Sequence, residues 1–295
     1  MSQNLRAQLV VAAGGESMLG SGKPQLPASI SREVAALAQM MMNADKCVVL
    51  TGAGISTESG IPDFRSPGTG LWTRVDPMAI LSATAFRMRP KAFYEFILEL
   101  CESTGRAAPN DGHKSLARLE SMGFVDVVVT QNIDGLHQRA GSKNVLEVHG
   151  HLRTGTCVNC GKLYEMAHIL DVVRAGEGPP KCGVCKSLIK PDVILFEDPL
   201  PIDFLLAQQA VTGSDLLIAV GSSLEVAPVC YLPALASRLA IINLTPTGYD
   251  SRADVVIRAG AGMALSALVD AIQQGSDGRR RSEEAGSRNS VKDGE

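Results

Sequence analysis

Short apolar runs alternate with amphipathic segments through the middle of this 295-residue chain. Three stretches place apolar residues every three or four positions, as a helix with one buried face does: 31–42, 90–100 and 113–122. Nearly continuous apolar runs, typical of strands buried on both faces, occur at 46–50, 125–130, 144–148, 193–196, 216–220, 240–244 and 254–257. Such strands separated by helices predict an α/β fold built on a doubly wound parallel sheet.

Composition separates the two ends of the chain from this alternating pattern. Residues 1–28 contain two prolines and several glycines without periodicity, which favours a flexible leader. Residues 275–295 are mostly Ser, Gly and charged residues, which is typical of a disordered tail. The α/β domain is therefore predicted at 29–150 and 189–274, with a helical insertion at about 66–108 and a small module at 151–188.

Charge and hydropathy then narrow the class of protein. The chain is 45% hydrophobic and 20% charged, with a formal net charge of −3, so we expect no direct nucleic-acid partner. No apolar run is long enough for a transmembrane helix, and residues 1–6 lack a secretory signal. We therefore expect a cytoplasmic protein with no membrane partner.

Four of the seven cysteines form two Cys-x-x-Cys pairs. Cys157 and Cys160 make one pair, and Cys182 and Cys185 make the other. The number of residues between the two pairs is close to that of a zinc ribbon. A redox pair is the alternative, but two pairs in one short segment favour a metal. Because sulfur would fill all four positions, the predicted zinc ion is structural.

A glycine-rich run follows the first predicted strand, from Thr51 to Arg65: Thr-Gly-Ala-Gly-Ile-Ser-Thr-Glu-Ser-Gly-Ile-Pro-Asp-Phe-Arg. Glycines after a strand let backbone N–H groups approach a phosphate. The usual dinucleotide fingerprint is broken, since Thr57 stands where its third glycine is expected. The run predicts a phosphorylated ligand and disfavours a dehydrogenase.

Further polar clusters follow later strands: Thr-Gln-Asn-Ile-Asp-Gly-Leu-His at 130–137, Val-His-Gly at 148–150, Gly-Ser-Ser at 221–223 and Ile-Asn at 242–243. In this order, and with the four-cysteine insertion, they resemble the sirtuins, the NAD-dependent protein-lysine deacylases. The resemblance runs from about residue 31 to 272. It implies a Rossmann-like domain and a smaller domain that combines the zinc ribbon with helices. NAD and the acyl-lysine would meet in the cleft between them.

The resemblance also implies the cofactor contacts. Ala53 and Thr57 would lie along the pyrophosphate, Asn243 would hold the adenine ribose, and a turn at 260–262 would close over the adenine. Asp134 belongs to the implied nicotinamide pocket, although it also fits a turn before Gly135. The implied NAD-binding residues are Gly52, Ala53, Gly54, Thr57, Ile61, Asp63, Phe64, Arg65, Gln131, Asn132, Ile133, Asp134, Gly221, Ser222, Ser223, Asn243 and Ala261.

His149 and Asn132 are the predicted catalytic residues. Two other histidines, His113 and His137, also match family positions, but only His149 directly follows a predicted strand and precedes a glycine. A histidine near its free pKa of about 6.5 suits general-base work at neutral pH. The implied reaction transfers the acetyl group of a protein lysine to ADP-ribose and releases nicotinamide.

Two segments resemble those that clamp the substrate peptide in sirtuins. They supply Ile194 and Phe196 for the acyl-lysine tunnel, together with Glu225 and Val226. Ile194 and Phe196 are alternatively inner-sheet core residues. Glu197 replaces a glycine that the family usually has, so we expect Glu197→Gly to improve peptide KM without changing NAD binding.

Single sequence features bear on which acyl group is removed and on which other functions compete with deacetylation. Sirtuins that remove succinyl or malonyl groups carry Tyr-x-x-Arg, whereas Tyr94 is followed three residues later by Ile97, which favours acetyl-lysine proteins as partners. NAD-dependent ADP-ribosyl transfer to protein is the main alternative. An adaptor role for the ribbon is disfavoured because it has few basic residues and a single aromatic residue.

Overall fold

A computed structural model describes the backbone of residues 27–63 and 76–290, and side chains as far as residue 275. Most of the predicted leader, together with Phe64 and Arg65, lies outside the described residues. The helices are α1 Ala28–Met42, α2 Pro77–Ile80, α3 Ala83–Met88, α4 Pro90–Arg106, α5 Asp111–Ser121, α6 Leu136–Ala140, α7 Met166–Arg174, α8 Ile202–Thr212 and α9 Ala261–Ser290. In this part of the chain no helix combines the length and apolar character needed to cross a membrane.

Six parallel strands form the larger sheet, in the order β3-β2-β1-β7-β8-β9. They are β1 Cys47–Thr51, β2 Val127–Thr130, β3 Val145–Glu147, β7 Leu216–Val220, β8 Arg238–Ile242 and β9 Val255–Ile257. Side chains alternate between two cores, since Val49 packs with α1, α5 and α9 while Val48 and Leu50 pack with α8 and the 3-10 helix Val229–Leu235. The predicted Rossmann-like parallel sheet is confirmed.

A second sheet is antiparallel and has three strands, in the order β5-β4-β6. Its strands are β4 Gly150–Cys157, β5 Leu163–Glu165 and β6 Ile189–Val193. Phe93 and Tyr94 of α4 share one buried core with Ile169 of α7 and Ile189 of β6. The helical insertion and the cysteine module are therefore one packed unit.

Three predictions need correction. The run 193–196 is not a strand of the large sheet, because β6 ends at Val193 and pairs with β4, while Phe196 forms only an isolated bridge with Ser82. The cysteine module therefore runs from β4 to β6 and extends past the predicted limit of 188. At the other end, α9 continues to Ser290 through most of the predicted disordered tail. Arg, Glu and Ala in that tail have good helix propensity, which composition-based disorder does not weigh.

Candidate active site and metal centre

The loops after β1 and β7 pack tightly at the carboxyl edge of the large sheet. These strands are neighbours although far apart in sequence, which makes the crevice between them the switch point where such sheets bind ligands. A Cβ at Gly52 or Gly54 would lie 2.8 Å from the main-chain oxygen of Gly221. Gly221 itself has a φ of +60°. These glycines are therefore required for close packing between the two loops. From the sequence alone they were explained only by contact with a phosphate.

Ser56 is the centre of a buried hydrogen-bond network beneath this crevice. Its Oγ donates to Asp134 Oδ2 at 2.7 Å, and Asn132 Nδ2 donates to Ser56 Oγ and to the Gly52 carbonyl, both at 3.1 Å. Burial raises the pKa of Asp134, and hydrogen bonds from the Leu136 amide and Ser56 oppose the increase. Ser56 thus joins Asn132 to Asp134, two residues that the sequence predicted for one pocket.

His149 follows β3 and has a defined tautomer. Its Nδ1 lies 2.9 Å from the carbonyl oxygen of Gln131, which can only accept, so Nδ1 carries the proton. In the neutral ring Nε2 then holds the lone pair. Burial lowers the pKa of His149, and the bond to Gln131 partly offsets this. His149 is therefore a neutral imidazole with one basic nitrogen at neutral pH.

His113 and His137 are buried structural residues, with rings 4.9 Å apart. Burial lowers the pKa of His113 to about 4, and burial together with the charge of His113 lowers that of His137 to about 3. His137 Nε2 pairs with Thr51 Oγ1 at 2.9 Å, while its Nδ1 has no hydrogen-bond partner among the described residues. Neither ring is placed to meet a substrate.

The other predicted NAD residues surround the same crevice. Gln131 Nε2 donates to Ser222 Oγ at 2.9 Å, which links the ends of β2 and β7. Asn243 follows β8, and its side-chain Nδ2 donates to the Thr245 carbonyl at 2.9 Å. Ile61 packs with Ala107 and Leu136, Ile133 borders the small-unit core, and Ala261 begins α9. Ala53 and Thr57 begin two short 3-10 turns, Ser223 is half-buried beside Ser222, and Asp63 is the last residue before the undescribed segment.

Three supporting residues were missed as site residues by the sequence reading: Ser56, Glu58 and Asn110. Glu58 Oε1 accepts from the Gly262 amide at 3.1 Å, which ties the loop after β1 to the start of α9. Asn110 Oδ1 caps α5, and its Nδ2 donates to the Ile55 carbonyl at 2.7 Å. A helix-capping asparagine before Asp111 was the available signal, whereas nothing in the sequence shows which loop it contacts.

The predicted substrate residues lie on two loops. Ile194 is half-buried and Phe196 is 38% exposed, so neither has the burial of an inner-sheet residue. The Ile194 amide donates to the carbonyl of His149 at 2.9 Å, which connects this segment directly to the predicted base. On the other loop Glu225 is exposed and Val226 is half-buried.

The four paired cysteines converge at one end of the small unit. The sulfur atoms of Cys157, Cys160, Cys182 and Cys185 all lie within 4.8 Å of one another, with 3.4 Å between the first and last. Tetrahedral Zn–S bonds of about 2.3 Å place sulfurs about 3.8 Å apart, so the group fits zinc. The Tyr164 hydroxyl donates to Cys182 Sγ at 3.2 Å and orients that thiolate. Four sulfur ligands complete a structural site, as predicted.

The chain belongs to the Sir2 family, whose model matches residues 52–228. A relative from Caldanaerobacter subterraneus subsp. tengcongensis, named NAD-dependent protein deacetylase 2, is 49% identical over 236 residues, or 80% of this chain and 94% of the relative. The NAD-dependent protein deacetylase of Chromobacterium violaceum is 44% identical over 240 residues, or 78% of this chain and 95% of the relative. The predicted family is confirmed.

Solved structures agree with the sequence relatives. A Sir2 enzyme superposes with a TM-score of 0.76 at 39% identity, covering 83% of this chain and 99% of its own. A Sir2 complex with a p53 peptide and NAD+ gives 0.73 at 34% identity, covering 82% and 98%.

Proposed function

We propose that this chain is an NAD-dependent protein-lysine deacetylase with a structural zinc ion. The observation that carries the proposal is His149: a neutral imidazole, fixed by Gln131, at the same carboxyl edge of the parallel sheet as the buried Asn132–Ser56–Asp134 network. The relatives named NAD-dependent protein deacetylases and the Sir2 complex with peptide and NAD+ support the cofactor and the substrate class.

The donor set fits NAD. Neutral hydroxyl and amide side chains (Gln131, Ser222, Ser223 and Asn243) line the carboxyl edge of the sheet. Bound NAD supplies an activated ribosyl carbon, an amide leaving group and the ribose hydroxyl that accepts the acetyl group. His149 Nε2 would take the proton of that hydroxyl, and the bond to Gln131 keeps the ring oriented. Asn132 and Asp134 would bind the polar groups of the amide leaving group.

The acyl group is proposed to be acetyl. The Tyr94 hydroxyl donates to the Ile189 carbonyl at 2.5 Å, and both Tyr94 and Ile97 are 1% exposed. Tyr94 is therefore committed to the small-unit core, and position 97 offers no cation for a succinyl carboxylate. Acetyl-lysine proteins are the proposed partners. None of the seven cysteines forms a disulfide, which is compatible with the proposed cytoplasmic location.

The test is mass spectrometry of acetyl-lysine and succinyl-lysine peptides incubated with and without NAD. We expect NAD-dependent loss of acetyl with formation of O-acetyl-ADP-ribose, and slower desuccinylation. His149→Ala should reduce the rate by about 10²- to 10⁴-fold, because it removes the general base. His151→Ala, which changes a neighbouring histidine outside the network, is the matched control and should keep full activity.

Two results would reject the proposal. Deacetylation at the wild-type rate by His149→Ala would remove the base from the mechanism. ADP-ribose attached to protein without any deacylation would favour ADP-ribosyl transfer in the same pocket.

A further inference from the structure

Residues 194–198, here called the linking segment, connect His149 to both parts of the small unit. The segment begins with the Ile194 amide bonded to the His149 carbonyl at 2.9 Å. The Phe196 amide donates to the Leu81 carbonyl and the Ala83 amide donates to the Phe196 carbonyl, both at 2.9 Å. The predicted tunnel residues Ile194 and Phe196 therefore lie between the predicted base and the start of α3.

Two consecutive acids anchor this segment in different directions. Asp198 Oδ2 binds Lys190 Nζ of β6 at 2.9 Å and accepts from the Leu195 amide at 3.0 Å. Glu197 Oε2 accepts from the Thr84 amide at 2.9 Å and from Thr84 Oγ1 at 2.7 Å. These two bonds hold the pKa of the Glu197 carboxyl below its ordinary value. The segment is thereby tied to the zinc-bearing sheet by one acid and to the helical insertion by the next.

The backbone at Glu197 keeps a conformation suited to glycine. The backbone φ of Glu197 is +74°, in the left-handed region that residues other than glycine rarely adopt. The family resemblance implied a glycine at this position, and this chain keeps a glycine-like turn while adding a carboxylate. That carboxylate is bonded to the first turn of α3, so its two hydrogen bonds offset the conformational cost.

We propose that Glu197 is a positioning residue for the deacetylation proposed above, on which this inference rests. Its carboxylate fixes the linking segment to α3 and so holds Ile194 and Phe196 at a set distance from His149. The acyl-lysine then meets a preformed wall. The expected effect of Glu197→Gly is consequently the reverse of the one drawn from sequence: peptide KM rises.

Three substitutions of Glu197 and one of Thr84 separate the hydrogen bonds, the charge and the backbone. Both bonds end on one oxygen, so Glu197→Gln can keep them while losing the charge. Glu197→Ala loses both bonds and keeps the left-handed backbone, whereas Glu197→Gly loses both bonds and removes the strain. Thr84→Val keeps the amide donor and removes the hydroxyl donor with little change in volume.

The measurements are KM and kcat for an acetyl-lysine peptide, with NAD affinity by calorimetry. We expect KM to rise about three- to tenfold in Glu197→Ala and Glu197→Gly, with kcat and NAD affinity within twofold. Thr84→Val should raise KM by a smaller factor, and Glu197→Gln should restore the wild-type value. KM in the glycine variant equal to or below wild type would overturn the proposal, as would a glutamine variant that behaves like alanine.

A matched control removes another carboxylate that binds main-chain amides. Glu120 accepts from the Lys143 and Asn144 amides at 2.8–3.0 Å, near the amino end of β3 and so at the opposite edge of the sheet. Glu120→Ala should lower thermal stability without changing peptide KM; a rise in KM equal to that of Glu197→Ala would show a general loss of stability and overturn the positioning role. Absence of deacetylation by the wild-type chain itself would reject the proposed function, a result distinct from equal KM values across an active series.

Discussion

At the scale of single residues, polar groups around the crevice depend on one another. Ser56 donates its one hydroxyl proton in a hydrogen bond to Asp134 at 2.7 Å. The lone pairs of Ser56 Oγ therefore remain to accept from Asn132 Nδ2. His113 Nε2 lies 3.4 Å from the same oxygen. The orientation of the Asn132 and Asp134 side chains is therefore set by Ser56, which lies on the loop after β1. Sequence reasoning predicted Asn132 and Asp134 as site residues but could not single out Ser56, because hydroxyls occur throughout the glycine-rich loop.

Gly221 gives a residue-scale prediction. Its φ is +60°, and an added Cβ would collide with the main chain of Ile55 and Gly54, which cannot move without displacing the loop after β1. Gly123 is the matched control, since its φ is +80° and a Cβ there meets nothing within 4 Å. We expect Gly123→Ala to cost about 1–2 kcal/mol and Gly221→Ala clearly more, together with weaker NAD binding.

Urea unfolding and calorimetric titration with NAD measure the two effects. Equal stability loss in the two variants, with NAD affinity unchanged in Gly221→Ala, would show that the close packing of the two loops does not matter.

At the scale of elements, buried parallel strands were predicted well and the small antiparallel sheet was not. The run 216–220 matches β7 at both ends, and β1 and β9 differ from their predictions by one residue. β1 and β7 are buried at every position and therefore appear as continuous apolar runs. In contrast β4 contains Gly, His, Arg and Thr, and its half-buried pattern has no clear period. The run 193–196 was assigned to the wrong sheet because a short apolar run does not specify its partner.

The zinc site gives an element-scale prediction. Cys157, Cys182 and Cys185 belong to or border the core that α4 shares with α7 and β6, so loss of the metal should also loosen α4. A structural zinc site contributes on the order of 10 kcal/mol to the folding of its module. We expect a chelator, or Cys160→Ser, to remove hydrogen-exchange protection from 90–106 and 150–174 while 47–51 and 216–220 stay protected.

Exchange measured by mass spectrometry with zinc content in parallel tests this, and Cys230→Ser is the control that should retain both. Simultaneous loss of protection in β1 and β7 would mean that the two cores unfold as one.

At the scale of the whole molecule, the buried histidines predict how stability depends on pH. His113 and His137 have pKa values of about 4 and about 3 in the fold, against about 6.5 in an unfolded chain. Below pH 6.5 the unfolded chain therefore binds protons that the folded chain excludes. As the pH is lowered below 6.5, the free energy of unfolding should decrease by up to about 1.4 kcal/mol per pH unit for each histidine. Above pH 6.5 these two histidines should not affect it.

Urea midpoints between pH 7.5 and 5 measure this slope, which acidic groups and the zinc thiolates also influence. His137→Gln isolates one histidine, because an amide can still pair with Thr51 Oγ1 and does not titrate. We expect the variant to lose the part of the slope between pH 6.5 and 5 that His137 contributes, up to about 1.4 kcal/mol per pH unit. His168→Gln changes an exposed ring stacked on Tyr164 and should keep the full slope. An unchanged slope in His137→Gln would mean that His137 is protonated in the fold, and the buried pair would then carry charge directly beneath Thr51 and the active-site loop.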